Sequence, residues 1–130
     1  MKWFGKDDEE SKGKILERMR RTLKVCKELR IENFNSLNDG EKGEKDYGLV
    51  YPWDRNHKVF LGAKFWEVKE RNANNKAGVI IHELSHFRDI GNTDDITYGE
   101  RGCLELAQSF PKEAMINADS FEYFIKDNIV

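Results

Sequence analysis

One pattern limits the fold and the chemistry of this chain more than any other, and it lies in the segment over 77–99. An apolar run over 77–81 continues into further apolar residues at helical spacing, which predicts a helix. His82 and His86 are four residues apart, so their imidazoles leave the same face of that helix one turn apart. Two nitrogen ligands at this spacing can share one metal ion.

A glutamate beside the first histidine extends this pattern. The carboxylate of Glu83 can reach a metal-bound water without itself coordinating the metal. Zinc accepts imidazole and carboxylate ligands in a tetrahedral shell, and a catalytic site keeps one position for water. The sequence H-E-L-S-H over 82–86 therefore predicts a catalytic zinc site. The alternative is an exposed helical face that carries two histidines and an unrelated glutamate.

The third ligand stays open on spacing alone. A metzincin-like site needs a glycine and then a third histidine where this chain has Asp89 and Asn92. The carboxylates that the chain could bring back to the metal are Asp94, Asp95, Glu100 and Glu105. Glu100 is the weakest of these because it follows the loop directly. For His57, in a predicted strand turn, a solvated side chain is the simpler interpretation.

The remaining pattern predicts an α+β fold, mainly helical with a small antiparallel β-sheet, in one domain over 1–130. Apolar residues at three- and four-residue steps, including Leu16, Leu23 and Cys26, predict an N-terminal amphipathic helix. The predicted elements are a helix over 10–30, a polar loop over 33–48, two strands within about 48–66, the histidine-bearing helix and loop over 77–99, and helices over 100–127. We expect no chemistry in the polar loop.

Composition excludes several function classes. With 22 basic and 24 acidic residues the formal charge is −2, which gives no electrostatic case for binding nucleic acid or an anionic membrane. No apolar run approaches the roughly 20 residues of a membrane span, and the N-terminus lacks the apolar core of a signal peptide. Two cysteines, Cys26 and Cys103, are too few for a disulfide scaffold, although one bridge is possible.

Two motifs together resemble a known family. H-E-L-S-H followed by N-T-D-D-I-T-Y-G resembles the deuterolysin group of zinc endopeptidases, the aspzincins, whose signature is H-E-x-x-H and then G-T-x-D-x-x-Y-G. The second motif matches at Thr93, Asp95, Tyr98 and Gly99. Asn92 stands where the family has glycine, and both residues tolerate a left-handed backbone. The resemblance runs over about 59–124.

The resemblance implies roles for individual residues in a zincin-like fold. It implies that Asp95 is the third zinc ligand beside His82 and His86. It also implies that Glu83 takes the proton of a zinc-bound water and that Tyr98 hydrogen-bonds the developing oxyanion. For Tyr98 the alternative is an aromatic ring packed under the loop.

A third stretch, I-N-A-D-S-F-E-Y-F, resembles the peptidyl-lysine metalloendopeptidase branch. In that branch an Asp and a Glu three residues later line a pocket for lysine, and here these positions are Asp119 and Glu122. The resemblance implies a polypeptide substrate cleaved on the N-terminal side of lysine. The alternative is a pair of surface carboxylates in which Lys126 partners Glu122. No role is predicted for Asn117 beyond tightening this region.

Two other functions remain compatible with the sequence at this point. A metal-binding module could use the same ligands without catalysis, and a cysteine hydrolase could use Cys103 with a histidine, although it leaves both motifs unexplained. By analogy, a chain with this site resembles toxin domains that bacteria deliver at the end of larger proteins. We therefore expect a secreted or delivered protein, with the cytoplasm as the alternative, and an inhibitor or immunity protein as a possible partner.

Overall fold

The structure is a computed structural model, and it describes residues 1–69 and 75–128. Helices are α1 (Glu9–Glu28), α2 (Ala63–Glu67), α3 (Lys76–Ser85), α4 (Gly99–Ser109), α5 (Pro111–Ala114) and α6 (Ala118–Asn128). Strands are β1 (Phe34–Ser36), β2 (Gly48–Leu49) and β3 (Val59–Leu61), and a 3₁₀ turn over Ile31–Asn33 precedes β1. Helices dominate and one small sheet completes the molecule, so the predicted α+β class is confirmed.

The sheet is mixed, with strand order β1-β3-β2. β2 and β3 pair antiparallel, as expected for the two predicted strands, but β1 adds to β3 in parallel. Two details of the prediction are wrong. β1 lies inside the predicted polar loop, and the second predicted strand stops at Leu61, because Gly62 caps the short helix α2 that follows.

Helix α1 buries only part of the stripe that its apolar residues predict, since Ile15 is buried and Met19 and Leu29 are partly buried. Leu16, Leu23 and Cys26 are exposed, whereas the buried positions include the polar residues Arg18 and Thr22. The guanidinium of Arg18 donates to the carbonyl of Met115 at 2.8 Å, so its polar end is satisfied against the chain between α5 and α6. Buried polar side chains that find partners can thus replace apolar ones on a packed helix face.

Two apolar clusters form the core. One contains residues of α1, the sheet, α2 and the segment around α3: Val25, Val50, Val59, Leu61, Phe65, Val79, Leu84, Phe87 and Ile90. The other joins the N-terminus to α1, α4 and α6: Trp3, Phe4, Ile15, Cys103, Phe121, Tyr123 and Ile125. Helix α3 packs along α6, so the histidine-bearing face of α3 lies beside the first turns of α6.

Helix α3 ends earlier than the predicted helix. Its last residue is Ser85, and His86 follows as a cap that still has helical backbone angles. The chain then turns, and the amide of Asn92 donates to the carbonyl of Phe87 at 3.0 Å. Asn92 has a φ of 50°, in the left-handed region that asparagine tolerates. This turn sends the chain back along α3, toward the two histidines.

Candidate metal centre

Three side chains from two parts of the chain converge on one point. Nε2 of His82 lies 2.9 Å from Oδ1 of Asp95, and Nε2 of His86 lies 3.1 Å from the same oxygen. The two Nε2 atoms are 3.2 Å apart. Zinc binds nitrogen and oxygen ligands at about 2.0–2.2 Å, so two ligands in a tetrahedral shell lie about 3.3 Å apart. The donor set and its spacing therefore fit a zinc ion.

Each histidine is oriented by a hydrogen bond from its other ring nitrogen. Nδ1 of His82 donates to Oδ1 of Asp119 at 2.6 Å, and Nδ1 of His86 donates to the carbonyl of Thr93 at 2.9 Å. A proton on Nδ1 leaves the lone pair of Nε2 available for a metal. Both imidazoles thus present Nε2 to the same point, beside Asp95.

The loop that carries Asp95 is held at both ends. The amide of Thr93 donates to the carbonyl of Ser85 at 3.1 Å, which ties the start of the loop to the end of α3. Further along, Oδ1 of Asn117 accepts the amides of Ile96 and Thr97 at 2.9 and 3.0 Å. Asp95 therefore sits in a segment whose backbone is fixed on each side.

Charges within this cluster shift the pKa values of its members. Burial lowers the pKa of His82, but hydrogen bonds to Asp119 and Asp95 outweigh burial and raise this pKa to about 10. Burial also lowers the pKa of His86, but hydrogen bonds to Asp95 and to the carbonyl of Thr93 outweigh burial and raise this pKa. Burial acts to raise the pKa of Asp95, yet hydrogen bonds to both histidines bring it well below its usual range. Because zinc binds neutral imidazole, loading this cluster would release protons.

Glu83 points into the same region without joining the three donor atoms. Its side chain is buried, and burial raises its pKa although the two imidazoles oppose this. A carboxyl group with a raised pKa is a better proton acceptor than an ordinary glutamate near neutral pH. Its position beside the cluster suits proton transfer to and from a molecule bound there.

Tyr98 stands at the open side of the cluster. Its ring stacks on His82 with 6.4 Å between ring centroids, and 65 % of the residue is exposed. The alternative of a ring packed under the loop is therefore wrong. Partial burial and the nearby carboxylate of Asp95 raise the pKa of the phenol to about 12, so the hydroxyl keeps its proton and can donate it in a hydrogen bond.

A cavity of about 660 Å³ opens beside these residues. Its walls come from β2 and the residues before it, from α3, from the Asp95 loop and from α6. Asp119 and Glu122 line the α6 wall and are buried, which contradicts the alternative of surface carboxylates. The predicted partner of Glu122 is present, however, because Nζ of Lys126 lies 2.8 Å from Oε2 of Glu122.

The other sequence candidates for a third ligand lie outside the cluster. Glu105 is exposed and pairs with Arg101 at 3.1 Å, and Asp94 is exposed and bridges to Asn117 through its backbone. His57 lies outside the cluster, as predicted, although its side chain is only 14 % exposed and its Nε2 pairs with Asp89 at 2.8 Å. Among the described residues, His86 belongs to one group of possible metal ligands, and the other members of that group are His82 and Asp95.

Sequence reasoning missed several residues around the cavity. Asp46 and Tyr47, in the loop where we expected no chemistry, form part of its wall, and so does Lys64 on α2. Asn117 is fully buried and holds the Asp95 loop. The sequence analysis expected Asn117 to tighten this region but could not say which groups it binds.

A model of the aspzincin family, described as lysine-specific metallo-endopeptidase, matches residues 1–126. This chain is an aspzincin. The family resemblance drawn from the two motifs is thereby confirmed, and with it a zinc-dependent metalloendopeptidase family. Both cysteines of this aspzincin are free, so the disulfide bridge left open by the sequence is not formed; Cys103 is buried and Cys26 is exposed. In the described residues, no helix has both the length and the apolar character to cross a membrane.

Curated relatives match over a shorter stretch. An extracellular protease of Aeromonas hydrophila is 41 % identical over 81 residues, which are 62 % of this chain and 23 % of that protein. A peptidyl-Lys metalloendopeptidase of Pleurotus ostreatus is 42 % identical over 82 residues, 63 % of this chain and 48 % of that protein. The aligned residues thus cover from about a quarter to about half of these relatives.

A solved structure extends the likeness to nearly the whole chain. A zinc peptidase from Grifola frondosa superimposes with a TM-score of 0.81 at 28 % identity. The match covers 98 % of this aspzincin and 74 % of that chain. The fold that surrounds the candidate metal centre is therefore shared with a solved zinc peptidase.

Proposed function

We propose that this chain is a zinc endopeptidase that hydrolyses polypeptides, with His82, His86 and Asp95 as the zinc ligands. The observation that carries the proposal is the convergence of their donor atoms, 2.9–3.2 Å apart, beside a buried glutamate at an open cavity. A structural zinc site has no need of Glu83 or of a cavity beside the ligands. For this reason a catalytic site explains more of the geometry than a non-catalytic metal module does.

The chain's own residues supply proton transfer and charge stabilisation. A zinc ion held by the three ligands would supply Lewis acidity at the scissile carbonyl and toward water. The carboxylate of Glu83 accepts the proton of the attacking water and returns it to the leaving amine. The phenol of Tyr98, which stays protonated, donates a hydrogen bond to the oxyanion that develops on the carbonyl oxygen.

The cavity suggests where the polypeptide lies. β2 is at the edge of the sheet, and Gly48 and Leu49 line the cavity. An extended peptide can pair with such an edge through main-chain hydrogen bonds. β3 cannot serve in this way, because it is the central strand and is paired on both sides.

Lysine preference follows from the acidic wall of the same cavity. Glu122 and Asp119 are buried there, and Lys126 already pairs with Oε2 of Glu122, so the ammonium of a substrate lysine would add a second positive charge beside two buried carboxylates. We propose cleavage on the N-terminal side of lysine, so that the lysine side chain enters this pocket. Oε1 of Glu122 lies 3.8 Å from Nδ1 of His82, which puts the pocket next to the metal centre.

We also propose that the activity takes place outside the cell that makes this protein. The relative from Aeromonas hydrophila is an extracellular protease, and this supports secretion or delivery of the present chain. Whether the chain acts as a toxin domain with an inhibitor or immunity protein stays a prediction from the sequence.

A substitution at Glu83 tests the catalytic proposal. Glu83→Gln removes the proton acceptor but no donor atom of the cluster, so we expect bound zinc to be retained and cleavage of a protein substrate to fall about 10²-fold or more. Glu105→Gln is the matched control, since that carboxylate is exposed and pairs with Arg101 on the surface of α4. Equal cleavage by wild type and Glu83→Gln would contradict the proposed role.

Mapping of cut sites by mass spectrometry tests the lysine preference. Wild type should release peptides that begin with lysine, and Glu122→Gln should cut with weaker preference because the pocket loses a charge. Cuts scattered without regard to lysine in the wild type would remove Glu122 and Asp119 from the pocket while leaving the peptidase activity standing.

A further inference from the structure

Asp119 makes contacts that a substrate pocket alone does not require. Its Oδ1 accepts from Nδ1 of His82 at 2.6 Å, and its Oδ2 accepts the amide of Gly99 at 2.8 Å. The side chain is buried, and it is the only carboxylate of the described α6 within hydrogen-bonding distance of His82. One residue thus ties the zinc-binding helix to the residue that follows Tyr98.

Asn117, two residues earlier, makes a parallel set of contacts with the other part of the cluster. Its Oδ1 accepts the amides of Ile96 and Thr97, directly after Asp95. Its Nδ2 donates to Oγ of Ser120 at 3.0 Å and to Sγ of Cys103 at 3.4 Å. The amide is fully buried with both ends engaged, so the side chain has little freedom to move.

We infer that Asn117 and Asp119, at the start of α6, are positioning residues of the metal centre: Asp119 orients the imidazole of His82, and Asn117 holds the loop that presents Asp95. The inference rests on the proposed function, because it takes the cluster to be a zinc site. Partners of this kind fix the tautomer and direction of a metal-binding histidine, and their loss typically lowers metal affinity by about 10–100-fold. The main role of Asp119 would then be to support zinc binding through His82, and its contact with the lysine side chain would be an additional role.

Zinc affinity, measured without substrate, separates this role from a purely substrate-binding one. Zinc dissociation constants would be obtained by competition with a chromogenic chelator for wild type, Asp119→Asn and Glu122→Gln. We expect Asp119→Asn to bind zinc about 10–100-fold more weakly. Glu122→Gln should bind zinc as wild type does, since Glu122 comes no closer than 3.8 Å to Nδ1 of His82. Equal affinity for Asp119→Asn and wild type would overturn the role of Asp119.

A second pair of variants tests Asn117. Asn117→Ala removes the acceptor for the loop amides, whereas Ser120→Ala removes a partner of Nδ2 and leaves that acceptor in place. Weaker zinc binding in the first variant alone supports the inference, and equal losses in both would overturn the role of Asn117.

Two further measurements keep the outcome clear. The visible absorption of the Co²⁺-loaded protein reports ligand geometry, and it should change in Asp119→Asn but not in Glu122→Gln. Circular dichroism of each metal-free variant excludes loss of fold as the cause, and the isosteric Asp119→Asn carries the test if Asn117→Ala does not fold. A wild type that binds no zinc would overturn the proposed function itself, whatever the variants do.

Discussion

The position of Glu83 depends on the lack of a side chain at Gly48 on the neighbouring strand. A Cβ atom at Gly48 would lie 3.1 Å from Cγ of Glu83, 3.3 Å from its Cδ, and 3.1 Å from the carbonyl oxygen of Phe60. Such distances are shorter than ordinary carbon contacts, so either the strand or the glutamate would have to move. The glycine therefore lets the sheet edge approach Glu83, the proposed proton acceptor, closely.

Gly48→Ala should lower kcat by about 10–100-fold, because displacement of a catalytic group by a fraction of an ångström to 1 Å has effects of this size. Bound zinc should stay unchanged, since no donor atom of the cluster touches Gly48. Kinetics on a lysine-containing peptide and zinc analysis check both parts. Gly13→Ala, on the exposed side of α1 with nothing within 4 Å, is the matched control and should keep full activity.

Single residues also show how far the sequence could predict the site. Helical spacing places His82 and His86 on one face, and the structure keeps this arrangement although α3 ends between them. Spacing could not choose among the carboxylates that follow, since the choice depends on the turn at Asn92 and on Asn117, which is 22 residues from Asp95. Contacts over such distances leave no local pattern.

At the scale of elements, short segments account for most errors in the predicted fold. A run of apolar and aromatic residues predicts a strand, but such a run cannot be told from a short buried helix by periodicity. Here the run divides at Gly62 into β3 and α2, and Trp66 on α2 is 58 % exposed. β1 is three residues long and mostly exposed, and only its pairing with β3 defines it as a strand.

Helix α3 begins with a cap whose removal should weaken the helix. Oδ1 of Asn75 accepts the amide of Gly78 at 2.6 Å, which satisfies one of the unpaired groups of the first turn. Asn75→Ala should lower the free energy of unfolding by about 1 kcal/mol, as measured by urea denaturation. Asn75→Asp preserves the acceptor and should retain most of the stability. If Asn75→Ala, like Asn75→Asp, unfolds at the same urea concentration as wild type, the cap contributes nothing to stability.

At the scale of the whole molecule, the candidate centre lies where α3, the Asp95 loop and α6 meet. The cluster spans 14 residues of sequence from His82 to Asp95, and its supports are Asn117, just before α6, and Asp119 in the first turn of α6. A metal ion held at this junction ties α3, whose buried apolar residues belong to the first cluster, to a loop that is held by Asn117 beside α6, whose buried apolar residues belong to the second. Binding would therefore stabilise the fold as a whole, and the prediction of one domain over 1–130 implies a single unfolding transition.

Zinc should raise the melting temperature of this chain, because a ligand that binds only the folded state stabilises it by mass action. At a free zinc concentration 100 times the dissociation constant the gain is about 2.7 kcal/mol, or roughly 10 °C for a chain of this length. Calorimetry with and without a chelator measures the shift. Asp95→Ala should lose most of it and Glu105→Gln should keep it. Two separate transitions would contradict a single domain, and an equal shift in Asp95→Ala would remove Asp95 from the ligands.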